Sequence, residues 1–290
     1  MTATVKVDYV SDLHLEFDRS NQKMFFTEVS KSGAGDVLVL AGDILTAPLL
    51  RPHRNDSAAR KFTKYLRERF IPNLTDQYNN VIYIAGNHEH YDSIYKNTLD
   101  EIETWFKYNG GSNITFMEND HLVLGDVVFV GATLWTNYMS GNPLVMQACQ
   151  EGMNDYRCIG LHDVEDMNYF NRDHDRKITP DFLLSENLIS TQYIDKMAKT
   201  FSDKKIVVVT HHAPSSKSLN PKHSGLLDGA YYTDLSHLIL NRPNIKYWIH
   251  GHTHTSLDYM IGDCHVVSNC RGYPFETCYV NYEGLKSFSV

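Results

Sequence analysis

The chain has 290 residues, of which 42% are hydrophobic and 21% charged, a globular balance that excludes disorder and suffices for one large α/β domain. Its formal net charge of −8 argues against general binding to long nucleic acid, since neutralising phosphates needs a surplus of Lys and Arg on some face. Five cysteines, Cys149, Cys158, Cys264, Cys270 and Cys278, are odd in number and form no CxxC pair, which suits free thiols in a reducing compartment better than a disulfide framework. The opening "MTATVKVDYV" has no basic stretch leading into a long apolar one, so no signal peptide is expected. No run approaches the roughly 18 apolar residues of a membrane span. The expectation is a soluble cytoplasmic protein.

Short apolar runs recur along the chain, and several end in Gly, Asp, Asn or His. "VKVDYV" (5–10) leads into "SDLHLE", and "DVLVL" (36–40) into "AGD". A helix is predicted over 57–74, with apolar residues near the 3.6 period and Pro72 near its end. "NVIYI" (80–84) leads into "AGNHE", and a second helix over 93–111 stops at Gly110 and Gly111. Segments 114–120, 121–126 and 127–135 carry turn signals but leave no room for helices, and are predicted as antiparallel strands. The stretch from 138 to 184 is polar and irregular, and reads as an insertion near the site, a lid rather than a separate domain. A third helix is predicted over 185–201. "KIVVVT" (205–210) then leads into "HHAP", and "IKYWI" (245–249) into "HGHTH". The segments from Leu257 to Val290 read as further antiparallel strands, turning at Gly262-Asp263 and Glu283-Gly284.

Strands rich in Val and Ile that alternate with helices imply parallel pairing with crossovers, so the sheet system is expected to be mixed. In open α/β sheets ligands gather at the carboxyl ends of the strands. Five strands deliver polar groups there: Asp12 and His14, Asp43, Asn87 and His88, His211, then His252 and His254. Asp12-x-His14 and His252-x-His254 place two donors two residues apart, which in extended chain points both the same way. Each piece alone is weak, since a lone histidine after a strand is more often a hydrogen-bonded core or surface residue. Five in order, each at a strand end, are another matter.

The blocks "SDLH" (11–14), "AGD" (41–43), "AGNHE" (85–89), "THH" (210–212) and "HGHTH" (250–254) resemble the five-block signature of the calcineurin-like metallophosphoesterases, D-x-H, G-D, G-N-H-D/E, a later H, and G-H-x-H. The resemblance spans residues 11 to 254, fills every signature position, and looks closest to the bacterial and phage-type members. It implies one domain over 1–290 with an α/β fold, a four-layer sandwich of two mixed β-sheets flanked by helices, and a dinuclear metal site at the strand ends. It further implies that Asp12, His14, Asp43 and His254 hold one divalent cation and that Asp43, Asn87, His211 and His252 hold another, with Asp43 bridging. A carboxylate suits that bridging role, and mixed N and O donors without thiolate suit Mn²⁺, with Fe, Ni, Zn or Mg as alternatives.

The same resemblance gives His88 the phosphate and the general-acid role. A metal-bridging hydroxide is the expected nucleophile, which leaves the far side of the phosphorus in need of a donor titrating near neutrality. Glu89 is expected to hydrogen-bond a ligand or loop behind the cations, with a solvent-exposed position as the alternative. His212, Arg271, Asp155 and Arg157 are candidate substrate contacts, with simple packing as the alternative for His212 and a salt bridge for Arg271. His90 and Tyr91 line the cleft or pack beside it, and His250 is expected to bond its own loop. His53, His121, His162, His174, His223, His237 and His265 read as surface or structural.

One departure matters. The protein serine/threonine phosphatases carry a second Asp in G-D-x-V-D-R-G that supports the catalytic histidine. Here "GDILTAP" puts Thr46 at that place, which counts against protein dephosphorylation. Two function classes follow: a hydrolase of phosphate mono- or diesters, small molecule or nucleotide, and a scaffold that keeps the fold without catalysis. Intact ligand positions favour the hydrolase. A nuclease acting on short oligonucleotides is its rival within the enzyme class.

Overall fold

The computed structural model describes residues 4–17, 35–51, 57–161, 177–219 and 225–290. His53, His162, His174 and His223 lie outside these, as does the 162–176 part of the expected insertion.

Two mixed sheets are flanked by helices. Strands β1 (Lys6–Val10), β2 (Val37–Ala41), β3 (Asn80–Ile84) and β4 (Ile114–Phe116) run parallel in the first. The second holds β5 (Asp120–Leu124), β6 (Val127–Ala132), β7 (Lys205–Thr210), β8 (Ile245–His250), β9 (Leu257–Ile261) and β10 (Cys264–Ser268). The last strand, β11 (Lys286–Ser289), returns to the first sheet and pairs antiparallel with β1. The orders are β11-β1-β2-β3-β4 and β5-β6-β7-β8-β10-β9.

Helix α1 (Ser57–Tyr65) runs on through a π turn at Leu66–Phe70 into Ile71–Thr75. Pro72 lacks the N–H that would bond one turn back, so the helix loosens just before it. Helix α2 (Tyr95–Tyr108) crosses from β3 to β4. Further on come α3 (Pro143–Gly152) and α4 (Pro180–Thr200). Among the described residues, no helix is long and apolar enough to cross a membrane.

Strand alternation sorts the core into layers. Val7, Val39, Ile82 and Ile84 of the first sheet meet Phe129, Val207, Val209, Ile249 and Val267 of the second. The opposite face of the first sheet, through Leu38, Leu40, Val81 and Tyr83, packs on Phe62, Leu66, Phe70, Ile102 and Phe106 of the helices. Val128, Val130, Val208 and Trp248 likewise cover Ile194, Met197 and Ala198 of α4. At ~25 cal/mol per Å² of apolar area removed from water, these three interfaces supply the main favourable term.

Several expected elements differ. β4 is parallel to β3, because α2 before it is the crossover that segment 114–120 was read as lacking. β6 is antiparallel to β5 but parallel to β7, and β10 is antiparallel to β9 but parallel to β8. The stretch from 138 to 161 makes a left-handed turn at Tyr138–Gly141, with φ between 50° and 72°, and is helical at Pro143–Gly152 and Asp155–Cys158. α4 starts five residues before the expected 185: the Thr179 hydroxyl accepts from the Phe182 N–H, and Pro180 opens the first turn.

Candidate metal centre

All the candidate ligands follow strands. Asp12 and His14 leave β1, Asp43 leaves β2 and Asn87 leaves β3, while His211 leaves β7 and His252 and His254 leave β8. The chain is not extended there. Asp12, His14, Asp43, His252 and His254 all have φ between 44° and 66°, a left-handed conformation that costs a side-chain-bearing residue about 1–2 kcal/mol. Convergence of the paired donors thus comes from curled loops, not from the strand alternation expected for D-x-H and H-x-H. Cross-loop bonds hold the curls: Asp12 N–H to Gly42 O at 2.9 Å, His14 N–H to Asp43 O at 2.9 Å, and His252 N–H to Asp12 Oδ1 at 3.0 Å. Gly86 is required by close approach, since a Cβ there would lie 2.1 Å from Asp43 Oδ1 and 2.7 Å from the Asp43 nitrogen.

Two groups of donors result. Asp12, His14 and His254 bring donor atoms within 4.8 Å of one another, and so do Asp43, His211 and His252. Asp43 lies between them, with one oxygen 3.7 Å from His14 Nε2 and the other 3.4 Å from His211 Nε2. Asn87 Oδ1 is 3.2 Å from the same His211 nitrogen. The tautomers are fixed from behind. His14 Nδ1 faces Glu16 at 3.2 Å, His254 Nδ1 faces Glu276 at 2.5 Å, and His211 Nδ1 faces the Ala41 carbonyl at 2.9 Å. Each of these acceptors puts the ring proton on Nδ1, so the Nε2 lone pairs of His14 and His254 point at each other across 3.2 Å. Lone pairs held face to face beside buried carboxylates fit divalent cations.

Without cations, protons take their place. Burial opposes charging the rings, yet the Asp12 and Glu276 carboxylates push His254 up to about 10, and Asp43 pushes His211 up to about 9. Burial, reinforced by His211, holds His252 down to about 3. Asp43 stays well below the usual carboxylate range because His211 and His88 outweigh its burial.

His88 stands beside this centre. Its backbone N–H donates to Asp43 Oδ1 at 2.9 Å, its ring stacks on Tyr91 at 4.2 Å, and its Nε2 is 2.8 Å from the Tyr273 hydroxyl. Its Nδ1 is 3.1 Å from Glu16 Oε1. Burial would lower its pKa, but Asp43 and Glu16 raise it above the ordinary histidine value.

The family model for calcineurin-like phosphoesterases matches residues 5–256. The chain belongs to that family. Membership implies metal-dependent hydrolysis of phosphate esters. An uncharacterised protein of Acanthamoeba polyphaga mimivirus is 29% identical over 285 residues, which cover 92% of this chain and 91% of that one. The crystal structure of a phosphopantetheinyl hydrolase from Mycobacterium tuberculosis aligns with a TM-score of 0.68 at 14% identity, over 99% of this chain and 97% of the other. That likeness is one of calcineurin-like phosphoesterase fold.

A cleft of about 670 Å³ opens over the donors of this phosphoesterase, with Asp43, Asn87, His88, His252 and His254 on its floor. Its walls carry Tyr91, Tyr231, Tyr273, Phe275, Leu219, Leu227 and Met153, with Asp228 and Glu276. Among the described residues, no Lys or Arg lines it.

The remaining candidates fall in different places. Glu89 is fully buried and accepts from the N–H groups of Asp43 (2.9 Å), Ile44 (2.8 Å) and Gly86 (2.7 Å) and from the Tyr83 hydroxyl (2.8 Å). It therefore clamps the loops that carry Asp43 and Asn87. Asp155 does not reach the cleft wall. It is buried and accepts from Asn87 Nδ2 at 2.8 Å and Tyr91 OH at 2.9 Å, which turns Asn87 Oδ1 toward His211. Arg157 bonds Asn154 and the Glu151 carbonyl on its own surface. Arg271 is buried, donating to the Leu13 carbonyl at 3.4 Å and lying over the Tyr279 ring, off the cleft wall. His212 is buried between Trp135 and His252, with Nδ1 3.2 Å from the Thr133 carbonyl.

His90 is also buried, stacked on Tyr95 at 4.6 Å, whereas Tyr91 does line the cleft. His250 bonds the Gly251 carbonyl and Ser218. His121, His237 and His265 bond Tyr193, Asn241 and Asp258, off the cleft lining. Sequence reasoning missed Glu16, Tyr273 and Glu276. Only Glu16 had a signal, as the next alternate position after D-x-H.

Proposed function

We propose that this chain is a phosphodiesterase acting on small molecules with two divalent cations, manganese foremost. The observation that carries the diester reading is the cleft lining, which sets Tyr91, Tyr231, Phe275 and Leu227 among Asn154, threonines and the carboxylates of Asp228 and Glu276 and, among the described residues, holds no Lys or Arg. A phosphomonoester brings two negative charges that such a wall does nothing to offset. A diester brings one, and its second arm can lie against Tyr91, Tyr231 and Phe275. The acidic walls also disfavour long nucleic acid.

Asp12, His14, Asp43 and His254 would hold one cation, and Asp43, Asn87, His211 and His252 the other. Bound there, the cations would acidify water and offset charge on the phosphoryl oxygens. The chain's own part is positional and protonic. Asp43 sets His88 through its backbone N–H, and Asp155 aims Asn87. His88 Nε2, facing the cleft, donates a proton to the departing oxygen. Residues 1–290 form one domain, and the helices of the 138–161 stretch build one wall through Gly152, Met153 and Asn154. Five free thiols fit work in a reducing compartment such as the cytoplasm.

The test is turnover of aryl phosphodiesters and matching monoesters with a panel of cations. Faster turnover of the diesters with Mn²⁺ is expected, and His88→Ala or Asp43→Asn should lower kcat about 10²–10⁴-fold while the fold survives. Turnover confined to monoesters would overturn the diester reading. No turnover with any cation would favour a non-catalytic scaffold.

A further inference from the structure

We propose that Glu16 is the positioning residue for the general acid His88, and that one of its oxygens ties the acid to the candidate metal ligand His14. Glu16 Oε1 lies 3.1 Å from His88 Nδ1 and 3.2 Å from His14 Nδ1. The two rings meet edge to face, with centroids 4.4 Å apart. A carboxylate can only accept, so both Nδ1 atoms carry their protons toward Glu16 and both Nε2 atoms turn away from it. For His14 that frees Nε2 for a cation. For His88 it makes Nε2 the working nitrogen, and the Tyr273 hydroxyl 2.8 Å from it marks where an oxygen sits against it.

This inference rests on the general-acid reading of His88. As the oxygen of a water bonds to phosphorus and its proton passes to solvent, the bond from phosphorus to the leaving oxygen breaks and its electron pair stays on that oxygen. The oxygen takes the proton from Nε2, and the N–H electron pair remains on the ring. The imidazole ends neutral, still held by Nδ1–H to Glu16. A carboxylate behind the ring stabilises the cationic form that must exist before transfer. Thr46, where the protein phosphatases carry the supporting Asp, has no carboxylate to offer. Glu16 supplies one from the loop after β1, at the alternate position that extends D-x-H to D-x-H-x-E.

Glu16→Gln is tested with saturating Mn²⁺ on diesters whose leaving groups run from 4-nitrophenolate to simple alkoxides. A nitrophenolate leaves without a proton, whereas an alkoxide does not. The loss in kcat should be about 10–100-fold larger on the alkoxides than on 4-nitrophenolate, over and above any loss through His14 that all the esters share. His88→Ala run on the same series tests the parent reading separately. A flat loss there would remove His88 as the acid, and the Glu16 role with it. A steep loss for His88→Ala with a flat profile for Glu16→Gln would overturn the Glu16 role alone. An equal loss on every leaving group, accompanied by weaker metal binding, would also overturn it and leave Glu16 as support for His14 only. A readout independent of turnover is ¹⁵N–¹H NMR of the His88 ring in the zinc-loaded protein. An Nδ1-bound proton shifted downfield by the charged Glu16 partner is expected in wild type and should move upfield in Glu16→Gln, where a neutral amide oxygen replaces the carboxylate. An unchanged His88 ring spectrum in the variant would overturn the proposal.

Discussion

Glu89 shows how one buried side chain can fix several others that do the chemistry. Its two oxygens take N–H groups from residues 43, 44 and 86 and a hydroxyl from Tyr83, so the Asp43 and Asn87 loops share one anchor. Glu89→Gln keeps the shape but turns an NH₂ toward groups that are themselves donors. Leaving a buried donor unpaired costs about 1–3 kcal/mol, and a displaced Asp43 weakens cation binding. The variant should therefore unfold at lower urea, with a loss of about 1–3 kcal/mol, and bind Mn²⁺ about tenfold more weakly or worse. Urea titration and isothermal calorimetry measure the two effects. Unchanged stability would mean that the Glu89 bonds are not sustained in solution. This residue was only half legible from its place in "GNHE", because the sequence fits a carboxylate turned to solvent as well as one turned to the loop. Tyr273 and Glu276 were not legible. They meet His88 and His254 only because Gly272, at φ 79° and bonded to the Asp12 carbonyl, folds the chain after β10 back over the centre.

At the scale of elements, strand ends were easy to find and strand directions were not. A strand buried on both faces is a continuous apolar run, and the polar group after it is conspicuous, so five carboxyl ends could be placed from the sequence. Direction depends on what joins the strands, and the crossover into β4 had been assigned to no strand. The turn between β4 and β5 carries a half-buried carboxylate, set deep under its loop, with a different consequence. Glu118 accepts from the Thr133 N–H at 2.8 Å and hydroxyl at 2.7 Å. Burial nevertheless pushes it from 4.5 up to about 7, with Thr133 pulling the other way and Glu186 adding to the rise. The folded state thus favours the neutral acid. Its stabilising contribution is complete below the unfolded value near 4.5 and is lost as pH climbs through about 7. Glu118→Gln removes that titration, so the variant should gain stability on wild type between pH 5 and pH 8. Urea midpoints of the pair at the two pH values give the comparison. A constant difference would show that Glu118 stays ionised throughout.

Across the whole molecule, the candidate centre is also a joint. Asp12, His14, Asp43 and Asn87 come from loops of the first sheet, and His211, His252 and His254 from loops of the second. The sheets otherwise meet through apolar contacts such as Ile84, Val209 and Ile249, which do not depend on any ion. A cation shared between the loops binds the folded arrangement and finds no such set of donors in the unfolded chain. It must then raise stability by RT ln(1 + [L]/Kd), about 2.7 kcal/mol at a hundredfold excess over Kd. For a chain of this length that is roughly 4 °C in Tm for each cation bound. Exhaustive chelation should therefore abolish phosphoester turnover and lower Tm together, and Mn²⁺ should restore both, with Tm rising logarithmically with its concentration. His254→Ala, which removes a donor of the second sheet from the first cluster, should blunt the rise. Scanning calorimetry across a manganese series reads the slope. A Tm indifferent to both chelator and Mn²⁺ would mean that no cation bridges the sheets.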